Sequence, residues 1–75
     1  MWYIYAIEPD GGRMWLIGTV MIGGVTHPQF TVLGRAMGLR TFDAALGIVK
    51  ALEGQGYDLH ITQVGPGKDE RPWRD

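Results

Sequence analysis

Few side chains in this 75-residue sequence could do chemistry, and their types narrow it at once. Cysteine, serine and asparagine are absent. The nucleophiles left for covalent catalysis are threonine, lysine, tyrosine, histidine and the carboxylates. The side chains whose ordinary titration lies near neutrality are His27 and His60. Asp58, His60 and Thr62 alternate along one segment, so on a strand they project from one side. Such a row could pair His60 with a carboxylate, but it also suits a solvated outer face with no ligand. His27 stands before Pro28 in a loop-like stretch. A metal site from His27, His60 and a carboxylate would need three distant segments to converge, and no ligand spacing supports it. Gly65-Pro66-Gly67-Lys68 has the outline of a phosphate loop. However, Thr62 stands where its first glycine belongs, and Asp69 stands where a hydroxyl would hold Mg2+. The expectation is a non-enzymatic protein with no catalytic, cofactor-binding or metal-ligating residues.

Composition sets the physical frame. The sequence is 45% hydrophobic with a net charge of −1, so it has no general electrostatic drive toward phosphate backbones. A core of this size rarely supplies more than about 3–5 kcal/mol, and disulfide staples are excluded without cysteine. Oligomerisation or a partner surface is the remaining route to extra burial. Residues 14–34 lack formal charge, but Thr26-His27-Pro28-Gln29 interrupts the run, leaving an apolar stretch too short to span a bilayer. A secretory leader would need a basic region where Glu8, Pro9 and Asp10 stand. The expected setting is therefore cytoplasmic, without a membrane.

The elements that would position these residues read as β-β-(β)-α-β. Residues 2–7 are aromatic and β-branched and predict a strand. Pro9-Asp10-Gly11-Gly12 predicts a hairpin turn, and a second strand runs from Arg13 to about Ile22, where Gly23-Gly24 bends or ends it. Residues 25–40 fit a third strand over about 29–36, or a second helix with Phe30, Leu33 and Met37 on one face. Thr41 or Asp43 caps a helix whose apolar face is Phe42, Ala45, Leu46, Val49 and Leu52. Gly54 or Gly56 ends it, and residues 57–64 alternate as a half-buried strand. The fold class is α+β: an antiparallel or mixed sheet of three or four strands, with one helix on one face. Residues 1–67 form one compact domain, and 68–75 read as a flexible charged tail.

One helix can cover only one face of a sheet. The last strand is polar on its outer side, whereas the first two strands carry large apolar residues on both. The expected interaction surface is Tyr3, Tyr5, Ile7, Arg13, Trp15, Ile17 and Met21, on one alternation of the opening hairpin. Large apolar patches of this kind mark protein-binding surfaces. The alternative is a small nucleic-acid-binding module using Arg13, Arg35 and Arg40 with the sheet aromatics.

The stretch Thr41-Phe42-Asp43, Ala45-Leu46, Leu52-Glu53 and Gly56-Tyr57-Asp58-Leu59-His60-Ile61 resembles a pattern of tiny single-domain bacterial and phage proteins. In that pattern a strand leads to the helix at "TFD", and "GYD" opens the final strand. The chain's size, its arginine-over-lysine bias and its aromatic sheet are also similar in type to anti-CRISPR inhibitors, small phage proteins that block CRISPR effector complexes by binding them. The resemblance implies a protein partner, action without catalysis or cofactor by occluding a DNA-binding surface, and a host-cell cytoplasmic setting; the apolar excess on the hairpin adds the expectation of a homodimer or a docked partner. The acidic set Glu8, Asp10, Asp43, Glu53 and Asp58 is modest for mimicry of DNA.

Overall fold

The structure is a computed structural model in which residues 1–66 are described. The fold is α+β. Four strands, β1 (Tyr3–Ile7), β2 (Arg13–Ile22), β3 (Val25–Thr31) and β4 (Leu59–Thr62), form an antiparallel sheet in the order β3-β2-β1-β4. One helix, α1 (Phe42–Ala51), packs over β1 and β4. The expected tail, 68–75, lies outside the described residues.

Each element follows from local chemistry. Between β1 and β2, the Gly11 N–H donates to the Glu8 carbonyl at 2.8 Å, and Asp10 Oδ1 accepts from the Gly12 N–H at 2.9 Å. Gly11 has φ 91°, a region that side chains with a Cβ avoid. Thr41 is the helix cap, its hydroxyl accepting from the Ala44 N–H at 3.1 Å, with Asp43 in the first turn where negative charge is favoured. Beneath the helix, Ile4, Leu16, Ala45 and Leu52 form the buried centre, ringed by residues such as Trp2, Phe30, Ile48 and Ile61. Of the expected helix face, Phe42 stays exposed and places its ring edge-on to Trp2 at 5.1 Å. The last strand is shorter than 57–64, and exposed Tyr57 instead tilts against Phe30 at 5.2 Å.

The third strand differs in place from the expected 29–36. It starts at Val25, because Gly23 and Gly24 take φ 58° and 79° and make a tight hairpin turn that pairs Ile22 with Val25. Two consecutive positive φ values match the right-handed twist of the flanking strands, so the glycine pair reverses the chain within the sheet. Residues 32–40 then form a loop, neither strand nor helix, whose end wedges beside β1 and β2. Trp2 and Leu39 exchange backbone hydrogen bonds at 2.7 and 2.8 Å, and the Met37 N–H donates to the Leu16 carbonyl at 2.9 Å.

A proline inside β3 is explained by register. Ile22 and Val25 close a two-residue turn, so pairs alternate from hydrogen-bonded there to non-hydrogen-bonded at Met21–Thr26 and again at Thr19–Pro28. Thr26 and Pro28 therefore direct their backbone groups to the free edge. There Gln55 Nε2 donates to the Thr26 carbonyl at 2.7 Å, and Pro28 has no N–H to offer. Both features blunt this edge against pairing with other chains. Replacing Pro28 with threonine restores an outward N–H without touching the β2–β3 ladder. The expected outcome in denaturant melts is a stability change within about 1 kcal/mol, accompanied by increased light scattering on concentration.

Candidate functional site

The face of the sheet opposite α1 is organised around Tyr5. Its ring lies nearly parallel to that of His60, with centroids 5.1 Å apart and 13° between planes. It tilts against Trp15 at 5.2 Å, and the Arg13 guanidinium carbon sits 4.5 Å from its centroid. Strand register produces this cluster: Tyr5 is opposite Trp15 on one side and His60 on the other. His60 Nε2 then meets Asp58 Oδ1 at 3.0 Å. Both groups are largely exposed, so this pair contributes little to stability.

Tyr3 is fixed differently. A Cβ on Gly65 would lie 2.9 Å from Tyr3 Cε2 and Cζ, and one on Gly38 would lie 3.6 Å from Tyr3 Cε1. Gly65 thus approaches the ring closely because it carries no side chain, whereas a side chain at Gly38 would meet the ring at ordinary contact distance.

Of the expected surface residues, Tyr3, Tyr5 and Ile7 are half-buried, while Arg13, Ile17 and Met21 are exposed. Trp15 is corrected: only 2% of it is exposed, so it is a core residue of the outer face. Tyr3, Tyr5, Ile7, Arg13 and Trp15 share that face, but Met21 does not continue it. An irregularity between Leu16 and Gly18 shifts the register and reverses the alternation of β2. Beyond it, Val20 and Ile22 face the same side as Trp15, together with Val25, while Met21 lies on the helix side.

The hairpin formed by the distal parts of β2 and β3 carries a cluster of exposed apolar side chains. Met21 is 71% exposed, Ile22 63%, Val25 48% and Val20 36%. These residues occupy both sides of a two-stranded ribbon, which β1 does not flank because it pairs only with Arg13–Trp15 of β2. Val20, Ile22 and Val25 were not anticipated as part of this surface. The signal was in Gly18, since glycine within an apolar strand marks a bulge or a close approach, and in Gly23-Gly24, which turns β3 back along β2. At the base of the ribbon, Ile17, Arg35, Ala36 and Met37 line an open groove of about 370 Å3.

The chemistry available here is packing, ring stacking and charge pairing. Among the described residues, no group of three or more His, Asp or Glu side chains could hold a metal ion. His27 is exposed on β3 and His60 lies on β4, so the two histidines stand on opposite edge strands of the sheet. No described helix is long and apolar enough to cross a membrane. No family model matches the chain, and searches of curated proteins and of solved structures find no match to it.

The Gly65–Tyr3 contact yields a direct test. Gly65→Ala puts a methyl against the Tyr3 ring, 2.9 Å from Cε2 and Cζ. The expected cost is about 1–3 kcal/mol of overpacking in chemical denaturation. An unchanged midpoint would mean that Tyr3 swings freely.

Proposed function

We propose that this chain is a non-enzymatic protein-binding module that docks its apolar ribbon on another protein and occludes that protein's working surface. The observation that carries this reading is the ribbon itself. Val20, Met21, Ile22 and Val25 are exposed together on a projecting hairpin with no formal charge. Exposed apolar surface of this kind belongs in an interface, and methionine adapts to irregular partner surfaces. The groove at the ribbon's base can receive a partner side chain, with Arg35 beside it to pair with a carboxylate.

The partner class comes from the resemblance in type: a CRISPR effector complex whose DNA-binding surface would be covered, with the inhibitor acting through or as a homodimer in the host-cell cytoplasm. No cofactor enters this action. Occlusion by an apolar ribbon needs no mimicry of DNA, which suits the modest acidic content. The nucleic-acid reading would use Arg13, Arg35 and Arg40 with the sheet aromatics. It is the weaker of the two, because Arg13 and His60 already cover the Tyr5 ring on which a base would stack.

The test uses purified effector complexes of the different CRISPR types, each assayed for target-DNA binding with and without this protein. The reading expects one complex to lose DNA binding. Met21→Lys with Ile22→Lys should weaken that inhibition by about 30-fold or more, the loss of a hot-spot contact. Failure to inhibit any complex overturns the CRISPR assignment, and salt-sensitive retention of labelled DNA or RNA by the protein alone would favour the alternative.

A further inference from the structure

The two edges of the sheet are unlike, and the difference points to a second use of the fold. The β3 edge is blunted by Pro28 and by the Gln55 contact to Thr26. The β4 edge has neither device. The Ile7 N–H donates to the Asp58 carbonyl at 3.0 Å, and β4 pairs with β1 in the register Tyr3–Thr62, Ile4–Ile61, Tyr5–His60, Ala6–Leu59. In an antiparallel pair the bonding positions alternate, so Asp58, His60 and Thr62 bond to β1. Leu59 and Ile61 therefore direct their N–H and C=O groups away from the sheet, at an edge free of proline and lysine.

We infer that this β4 edge pairs with the β4 edge of a second copy of this chain, joining two sheets into one about a two-fold axis at His60. The inference goes beyond the docking of the ribbon, which lies at the other end of the sheet. It supplies the geometry of the homodimer on which that reading draws.

Two observations converge on a second copy as the occupant. First, the two-fold register that centres His60 on His60 of the second copy sets Leu59 opposite Ile61 and uses every outward backbone group. A shift by one residue would set outward groups against inward ones and exchange the faces. Second, that register continues both faces of the sheet. Leu59 and Ile61, half-buried beneath α1, meet their counterparts as apolar pairs on the helix side. His60 and Asp58 meet the second copy's His60 and Thr62 on the outer side.

The test uses the unmodified full chain. Sedimentation should give a mass approaching twice 8.3 kDa as concentration rises. Amide exchange followed by NMR should show the Leu59 and Ile61 N–H groups becoming protected over the same range. His60→Glu, which opposes two carboxylates at the axis beside Asp58, should raise the dissociation constant about tenfold or more while far-UV circular dichroism is retained. A monomer at every concentration overturns the inference. So does a dimer whose Leu59 and Ile61 amides exchange freely, which must pair elsewhere. Protection that persists unchanged in a dilute monomer also overturns it, because the edge is then covered within one chain. A monomer that still blocks an effector complex contradicts this dimer and leaves the ribbon reading standing, and a dimer that blocks none does the reverse.

Discussion

A single ten-residue helix cannot cover both faces of a four-stranded sheet, and the rest of this fold answers that constraint. Under α1 the answer is an ordinary apolar core built on Ile4, Leu16, Ala45 and Leu52. The opposite face is closed by aromatic side chains lying on one another. Trp15 is buried there without a second layer of secondary structure, with the Tyr5 ring against it and Arg13 and His60 against Tyr5. Flat rings suit this role because each removes a large apolar area from water while fixing few torsions, and tyrosine keeps its hydroxyl available to solvent. Arginine and histidine extend the cover with planar groups that remain hydrated at their edges.

This arrangement relocates the apolar excess. The aromatics that invite reading as an interface are mostly consumed in closing the outer face. Of the apolar side chains left in water, Val20, Met21, Ile22 and Val25 cluster further along β2 and β3. The register shift between Leu16 and Gly18 divides the two regions: before it the strand serves the body of the sheet, and after it the strand belongs to a ribbon with apolar side chains on both sides. In the segment between α1 and β4, Gln55 holds the free edge of this ribbon through the Thr26 carbonyl, and Tyr57 lies against Phe30 just before the shift. The projection is therefore held by side-chain contacts rather than by a neighbouring strand. A two-stranded ribbon alone would be marginal in water, which makes such bracing necessary for a surface that must meet a partner in a defined shape.

Much of the architecture was legible in the sequence, for identifiable reasons. The aromatic and β-branched run at 3–7, the Pro-Asp-Gly-Gly turn, the capped helix beginning after Thr41 and the alternation around His60 each carry a local physical signal, and each produced the expected element. Residues 25–40 lacked one. Pro28 fits a strand only once the neighbours of β3 are known, since only an edge strand can spare that N–H. Face assignment on β2 failed past Leu16 because strict alternation holds only for an unbroken ladder, and a bulge exchanges the faces beyond it. Burial of Trp15 could not be read locally at all, because the ring covering it comes from β1, whose register with β2 is a tertiary fact.

The account turns on Trp15 being core and the ribbon being surface. The most direct check is acrylamide quenching of tryptophan fluorescence in a Trp2→Phe, Trp73→Phe protein, in which Trp15 is the remaining tryptophan. The account predicts blue-shifted emission and quenching far weaker than that of free indole, lost together on unfolding. Emission and quenching like those of a solvated indole in the folded protein would contradict it and return the outer aromatic face to the role of an open binding surface.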